Sequence, residues 1–526
     1  MKKDYDVLLI NPSFNQKGFA FYQNIPPDLV EVGSYLTSKG VKVKLVDCSV
    51  KEEYLDELKE ISKSVTLVGL GVMNAQISSA FEITEAIKSV NPKVKFVWGG
   101  PNATLYAEQT LEHKYVDFII KGEGEEPLYN LYLALKNKKS YENILGLGYK
   151  KNGKLVINPP QPLIDVNKMP SPDWSLIDEE MLAKFRLNNT QMYFPVSTSR
   201  GCPHRCSFCI NVVTQNRWRG KSPEKVVSEL SYVYHKLGIS KIRIRDELFF
   251  VNIPRVKAIL KGLLANNVKL QWQANSKADY FRRGLMDEEV LDLMKKTNCD
   301  EINIGAESGS QRMLDLMHKD GTVEDLFTTA KTLQKYSIRG LYSFMIGLPF
   351  ETKKEMISTI KAIKKIKKLN PNSNILGPQP YRPYPGGDMF NDAVRLGWKA
   401  PEKLEDWPRL YSEMEFSPTS KFFPWIEDPV FVDYLLLYTK FASNSWSQIR
   451  DRYVSSANAI KAPKLFIYAF AFWCKLRWAL GIYDKFYEIK ILEKYYRKNI
   501  KNKNKKDVNI ETTIQPQNKE ILATAS

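Results

Sequence analysis

The sequence predicts an α/β protein: a doubly wound, Rossmann-like parallel sheet, then a partial β/α barrel, then a helical C-terminal region. Three observations predict it. Short apolar runs alternate with helical stretches over residues 1–135 and again from about residue 192 to 387. A stretch with five prolines in residues 158–174 separates the two regions. After residue 400 the alternation stops and aromatics increase. The chain has 526 residues, enough for about three domains of ~150 residues each. Its 43% hydrophobic and 26% charged content is that of a globular protein.

The first region reads in order. "YDVLLINP" is a buried strand that stops at Asn11-Pro12. "PPDLVEVGSYLTSKG" has apolar residues at helical spacing and Gly40 as its stop. "VKVKLVD", "VTLVGLGVM", "KVKFVWGGP" and "VDFIIKGEGEEPL" supply further strands, with helices between them. In such a sheet ligands bind at the carboxyl ends of the strands, where this chain is rich in Gly, Ser and Asn. There is no GxGxxG after the first strand, so a dinucleotide site is not indicated.

The second region holds six β/α units, with strands at "MYFPVS", "KIRIRD", "LQWQAN", "EINIGA", "LYSFMI" and "ILGPQP". Six is fewer than the eight of a closed barrel, so an open barrel is expected. Ser222 and Pro223 mark a helix start, as N-cap and first helical residue. The expected domains are 1–140, a connector at 141–190, the barrel at 191–400, helices at 401–500, and a disordered basic tail at 501–526.

The chemistry is concentrated in "RGCPHRCSFCI". Three of the six cysteines, Cys202, Cys206 and Cys209, lie there with C-x3-C-x2-C spacing, directly after a strand. Such a cluster points to metal or redox chemistry in a reducing compartment rather than to disulfides. Iron–sulfur clusters take Cys thiolates, four in a saturated cage, so three leave one iron open to a ligand. A zinc site recruiting His204 is the alternative, but no second cysteine pair follows at finger spacing. Cys299 and Cys474 are isolated and read as packing residues.

The cysteine spacing, with Phe208 just before the third, resembles the radical S-adenosylmethionine (SAM) superfamily. So do "RWRGKSPEKVVSEL", "RDELFF", "NIGAESGS", "SFMIGLPFET" and "YRPYPGG", in this order, over roughly residues 190–400. The resemblance implies a [4Fe–4S] cluster on the three cysteines. It implies SAM bound at the open iron and cleaved to a 5′-deoxyadenosyl radical that abstracts hydrogen from substrate. It also implies Glu307 and Ser308 at the ribose and methionine part, Phe208, Gly347, Leu348 and Pro349 at adenine, and cofactor contacts at Lys277 and Asp246. Lys277 departs from relatives that carry Arg.

In front of such a barrel, "PPDLVEVGSYLTSKGVKVKLVD", "GVMNAQISSA", "WGGPNATLYAEQ" and "KGEGEEPL" resemble the cobalamin-binding domain of the cobalamin-dependent radical SAM class. None of the four histidines lies in the D-x-H-x-x-G motif that supplies a lower axial ligand. The resemblance then implies that cobalamin is held around Ser13, Asn74, Gly99, Gly100, Pro101, Gly122 and Glu123. The expected function is methyl transfer to an unactivated carbon, with rearrangement or oxidative cyclisation as the alternative. The expected partners are a small-molecule or lipid-linked substrate and an external electron donor such as flavodoxin or ferredoxin.

The net charge is +18, and residues 461–506 alone hold 13 Lys/Arg against 3 Asp/Glu. "KLFIYAFAFWCKLRWALGIYDKFYEIKILEKYYRK" mixes aromatics with cations at helical spacing. It reads either as a core helix with solvated cations or as an amphipathic helix at a membrane interface. Nucleic acid is not expected. The methylthiotransferases that share the barrel motif carry three more cysteines in the first domain, where this chain has only Cys48. The opening "MKKDYDVLLINPSF" lacks a signal peptide's long apolar run, so a cytoplasmic enzyme is expected, with peripheral contact at the inner membrane face as an option.

Overall fold

The computed structural model describes residues 4–14, 25–49, 53–187, 192–211, 217–408, 410, 423–450 and 464–486. The expected basic tail at 501–526 lies outside the described residues.

The first sheet has the order β2-β1-β3-β4-β5-β6-β7. Its strands are β1 (Val7–Asn11), β2 (Val43–Asp47), β3 (Leu67–Gly71), β4 (Lys95–Gly99), β5 (Phe118–Ile120), β6 (Leu147–Lys151) and β7 (Lys154–Ile157). The first five run parallel, and β1 is fully buried between β2 and β3. That placement puts the reversal of strand order between β1 and β3, and a crevice opens outside their carboxyl ends.

The last two strands carry the first sheet past residue 140. "GLGYKKNGKLVI" forms a hairpin that adds antiparallel to β5 and carries the sheet to Ile157. Its turn is Asn152-Gly153, both at positive φ (50° and 75°), as a two-residue hairpin turn requires. The connector therefore begins after the hairpin.

The second sheet, β15-β14-β13-β12-β11-β8, is parallel throughout, and its six strands are those expected. They are β8 (Phe194–Val196), β11 (Lys241–Ile244), β12 (Gln271–Ser276), β13 (Cys299–Glu307), β14 (Arg339–Ile346) and β15 (Asn374–Pro380). β8 and β15 are unpaired edges, so the barrel is open. Ser222 caps the helix Pro223–His235, accepting from the Lys225 amide at 3.3 Å. A two-stranded ribbon, β9 (Ser199–Arg200) with β10 (Arg219–Gly220), frames the cysteine loop and sets Arg200 opposite Arg219.

Beyond the barrel, the helices Pro429–Ser443 and Lys464–Leu480 pack on each other. No helix among the described residues is long and apolar enough to cross a membrane.

Candidate functional site

The cysteine loop lies at the carboxyl end of the barrel and is held from three sides. Gly201 has φ of 79°, and a Cβ there would lie 2.2 Å from the Arg217 carbonyl oxygen, so only glycine lets the chain turn. The Ser207 amide donates to the Met317 carbonyl at 3.0 Å, and its hydroxyl to the Leu316 carbonyl at 3.1 Å. On the third side the "YPGG" segment closes down. The Met389 amide donates to the Ser207 carbonyl at 3.2 Å, and a Cβ on Gly387 would lie 2.0 Å from that same oxygen.

Cys202, Cys206 and Cys209 are all free thiols, half-buried in this loop, and each pair interacts electrostatically. Burial raises the Cys202 thiol and pushes Cys209 up to about 11. Thiols this reluctant to ionise alone become thiolates when a cationic centre compensates. Among the described residues no three of His, Cys, Asp and Glu gather tightly enough for a single ion. A four-iron cluster takes each thiolate at a separate corner, and three thiols on one loop are a donor set that suits it. His204 is engaged elsewhere. Its Nε2 faces the Tyr280 hydroxyl at 3.2 Å, and its Nδ1 lies 3.1 Å from the Lys277 ammonium and 3.3 Å from Asp320.

The residues expected to hold SAM meet this loop unequally. Glu307 ends β13 at φ of 60°, where the pairing with β14 shifts register, so the strand end re-aims its carboxylate. That carboxylate accepts from the Lys319 ammonium at 3.0 Å. Lys319 also stands 5.6 Å over the ring of Phe208, and Cys206 and Cys209 act on its charge. Burial lowers the Lys319 ammonium, but Glu307 and the two thiols more than offset it. Sequence reasoning missed this lysine: "MHKDG" matches no motif, and its positive-φ neighbours His318 (52°) and Asp320 (56°) are invisible in a string of letters. Ser308 is fully buried against the Thr359 hydroxyl at 3.3 Å.

Gly347, Leu348 and Pro349 lie at the carboxyl end of β14, but several of their backbone groups are occupied, the Leu348 carbonyl among them by the Glu351 amide at 3.1 Å. The Gly347 carbonyl accepts from Trp425 Nε1 at 2.8 Å, and the Leu348 amide donates to Glu351 at 3.1 Å. Asp246 is buried with both oxygens accepting, from the Thr198 amide and hydroxyl and from the Ser199 hydroxyl, all at 2.5–2.6 Å, so it braces the end of β8. Lys277 also serves the loop, through His204 and Asp320.

Six of the seven expected cobalamin contacts lie at the carboxyl ends of the first sheet's strands. Ser13, Asn74 and Gly99–Pro101 follow β1, β3 and β4, and Gly122 lies just beyond β5. Asn74 is buried. Its Oδ1 accepts from Asn102 at 2.9 Å, while its Nδ2 has no partner among the described residues. Gly100 has φ of 88°, and a Cβ on Gly99 would meet nothing within 4 Å. An orphaned buried donor beside open glycine backbone fits a cofactor rich in amide acceptors.

Glu123 is the exception. It accepts from Arg219 at 2.7 and 3.0 Å, from Arg200 at 3.2 Å and from the Ile164 amide at 2.8 Å. It belongs to a buried network between the two domains. Arg200, two residues before Cys202, reaches Glu31 and Glu125 of the first domain, each at 2.5 Å. Lys221 adds Glu31 at 3.1 Å and Glu229 at 3.0 Å. Burial opposes the Glu31 carboxylate, yet Lys221 and Arg200 hold it below the usual range. The Glu123 carboxylate is held down in the same way by Arg219 and Arg200.

Fold and site together define a two-domain cofactor enzyme, with a three-cysteine loop on a partial barrel locked to a doubly wound sheet. The Radical SAM superfamily model matches residues 196–363, and the B12 binding domain model matches residues 22–132. The chain is 32% identical over 357 residues to an uncharacterized methyltransferase of Pyrococcus horikoshii, covering 67% of this chain and 75% of that protein. It is 27% identical over 397 residues to the anaerobic magnesium-protoporphyrin IX monomethyl ester cyclase of Rubrivivax gelatinosus, covering 73% and 69%. Its fold matches that of TsrM, a radical SAM methyltransferase from Kitasatospora setae solved with cobalamin and a [4Fe-4S] cluster. The TM-score is 0.62 at 20% identity, over 76% of this chain and 80% of that one. The chain belongs to the cobalamin-dependent radical SAM enzymes, whose cofactors are a [4Fe–4S] cluster, SAM and cobalamin.

Proposed function

We propose that this enzyme transfers a methyl group from SAM to an unactivated carbon of a small-molecule or lipid-linked substrate. The observation that carries the reading is the lock between the two domains. Arg200 ties the strand that enters the cysteine loop to Glu31, Glu123 and Glu125 of the first domain. When bound, the cluster supplies an electron, SAM the radical and the methyl group, and cobalamin a methyl carrier. Cys202, Cys206 and Cys209 hold the cluster, and the open fourth position receives SAM. Phe208, Glu307, Ser308 and the Gly347–Pro349 turn surround SAM, and Lys319 sets a positive charge beside the thiolates. Ser13, Asn74, Gly99–Pro101 and Gly122 cradle cobalamin. The reductant comes from an external donor of the flavodoxin or ferredoxin class.

The test is the product pair. Anaerobic protein is reduced in the presence of SAM carrying a labelled methyl group and candidate acceptors. Methyl transfer releases S-adenosylhomocysteine together with 5′-deoxyadenosine and labels the acceptor. Release of 5′-deoxyadenosine alone would overturn it in favour of cyclisation or rearrangement, the reading that the 27% identical cyclase supports.

A further inference from the structure

The helix Lys464–Leu480 is apolar on two faces. One face is buried: Ile467, Ala471 and Cys474 are 5% exposed or less, and Phe470 packs edge-on against Phe441 of the helix Pro429–Ser443. The other face looks outward and is also apolar. Leu465 is 81% exposed, Phe472 60%, Trp473 41% and Leu480 65%. These positions, with Leu476 between them, recur at helical spacing and form one stripe along the helix. Lys464 is exposed at the helix start, but the two cations further along the helix do not moderate the stripe. Lys475 donates to the Ala442 and Asn444 carbonyls, and Arg477 to the Lys485 carbonyl, so both turn inward. A contiguous exposed stripe of this kind marks an interaction surface.

We infer that this stripe lies in the interface of an anionic lipid bilayer. The helix has 17 residues and is covered by protein on one side, so it suits lying flat rather than spanning. Residues 464–483 contain no Asp or Glu. Residues 487–506, which follow directly in sequence, carry eight Lys/Arg against two Asp/Glu. That charge complements an anionic surface. It weighs against a second copy of the chain, because like-charged chains repel on association. This inference does not depend on the chemistry proposed above.

The test is flotation of the full chain with phosphatidylcholine vesicles, with and without phosphatidylglycerol, run beside the double variant Phe472→Glu, Trp473→Glu. The expected result is flotation with the anionic vesicles only, weakened by salt. The double variant should bind about tenfold more weakly or worse, with an unchanged unfolding midpoint. Three results would overturn it: no flotation of the natural chain, equal flotation of the variant, or a natural dimer that the variant makes monomeric. An unfolding midpoint lowered in the variant would also overturn it, because it would show the stripe to be covered by another part of this chain.

Discussion

Replacing Arg200 by Met tests whether the two domains are held as one unit. The substitution keeps the length and removes the charge that faces Glu31, Glu123 and Glu125. The three carboxylates are not orphaned equally. Glu31 keeps Lys221 at 3.1 Å, and Glu123 keeps Arg219 at 2.7 Å. Glu125 loses the partner of its Oε1, and its buried Oε2 has none among the described residues. Breaking a buried pair from one side costs ~3–5 kcal/mol, and with one carboxylate stranded the lower end, ~3 kcal/mol, applies. The sign of the pH dependence follows. Glu31 and Glu123 titrate below their unfolded values, so their contribution is present above about pH 4.3 and is lost as pH falls through the folded values. The Arg200→Met deficit should therefore be full at neutral pH and shrink as the medium is acidified through the folded values of Glu31 and Glu123. The assay is urea unfolding followed by circular dichroism at several pH values, with Arg200→Lys as a control of intermediate effect. A deficit below ~1 kcal/mol at neutral pH, the size of a surface pair, would refute the argument.

Four further outcomes are expected. Changing Cys202, Cys206 or Cys209 singly to Ser should abolish the cluster's visible absorbance and most bound iron, while Cys299→Ser leaves both intact; iron and sulfide assays check this. Gly387→Ala should also lose iron with the circular dichroism spectrum unchanged, because its Cβ would meet the Ser207 carbonyl at 2.0 Å and shift the loop. Glu351→Gln should raise the unfolding temperature at pH 8 and do little at pH 5. Burial pushes the Glu351 carboxyl up to about 8, so the native state holds a proton that the unfolded chain releases above about pH 4.3, and stability falls across that window. Lys319→Met should weaken SAM binding and shift the cluster's reduction potential downward, measured by equilibrium dialysis and redox titration, because a positive charge beside Cys206 and Cys209 is removed.

The two sheets were legible in the sequence because each parallel strand is a short apolar run with a helix behind it. "VLLIN" is buried at every position, and a strand buried on both faces needs no alternation. The hairpin Leu147–Ile157 was not legible as part of the sheet because its strands carry Lys150, Lys151 and Lys154 on an edge. The Asn152-Gly153 turn was the available signal. The cysteine loop was legible from spacing alone. The bracing role of Asp246 was not legible, because a buried acid that accepts from two hydroxyls reads the same in sequence as one that meets a ligand. The Arg200 network could not be read at all: its partners lie 169, 77 and 75 residues away, and no local pattern links them. In the C-terminal helix, composition suggested cations facing solvent, whereas Lys475 and Arg477 turn inward to carbonyls and leave the aromatics outside.

The measurement that bears most directly on the account is the metal content of the chain. It is expressed with cobalamin supplied and purified without oxygen, and iron, sulfide and cobalt are then counted per chain. The account predicts about four irons, about four sulfides and about one cobalt. Iron without cobalt would contradict the assignment of the Ser13, Asn74 and Gly99–Pro101 crevice, and zinc in place of iron would contradict the reading of the cysteine loop itself.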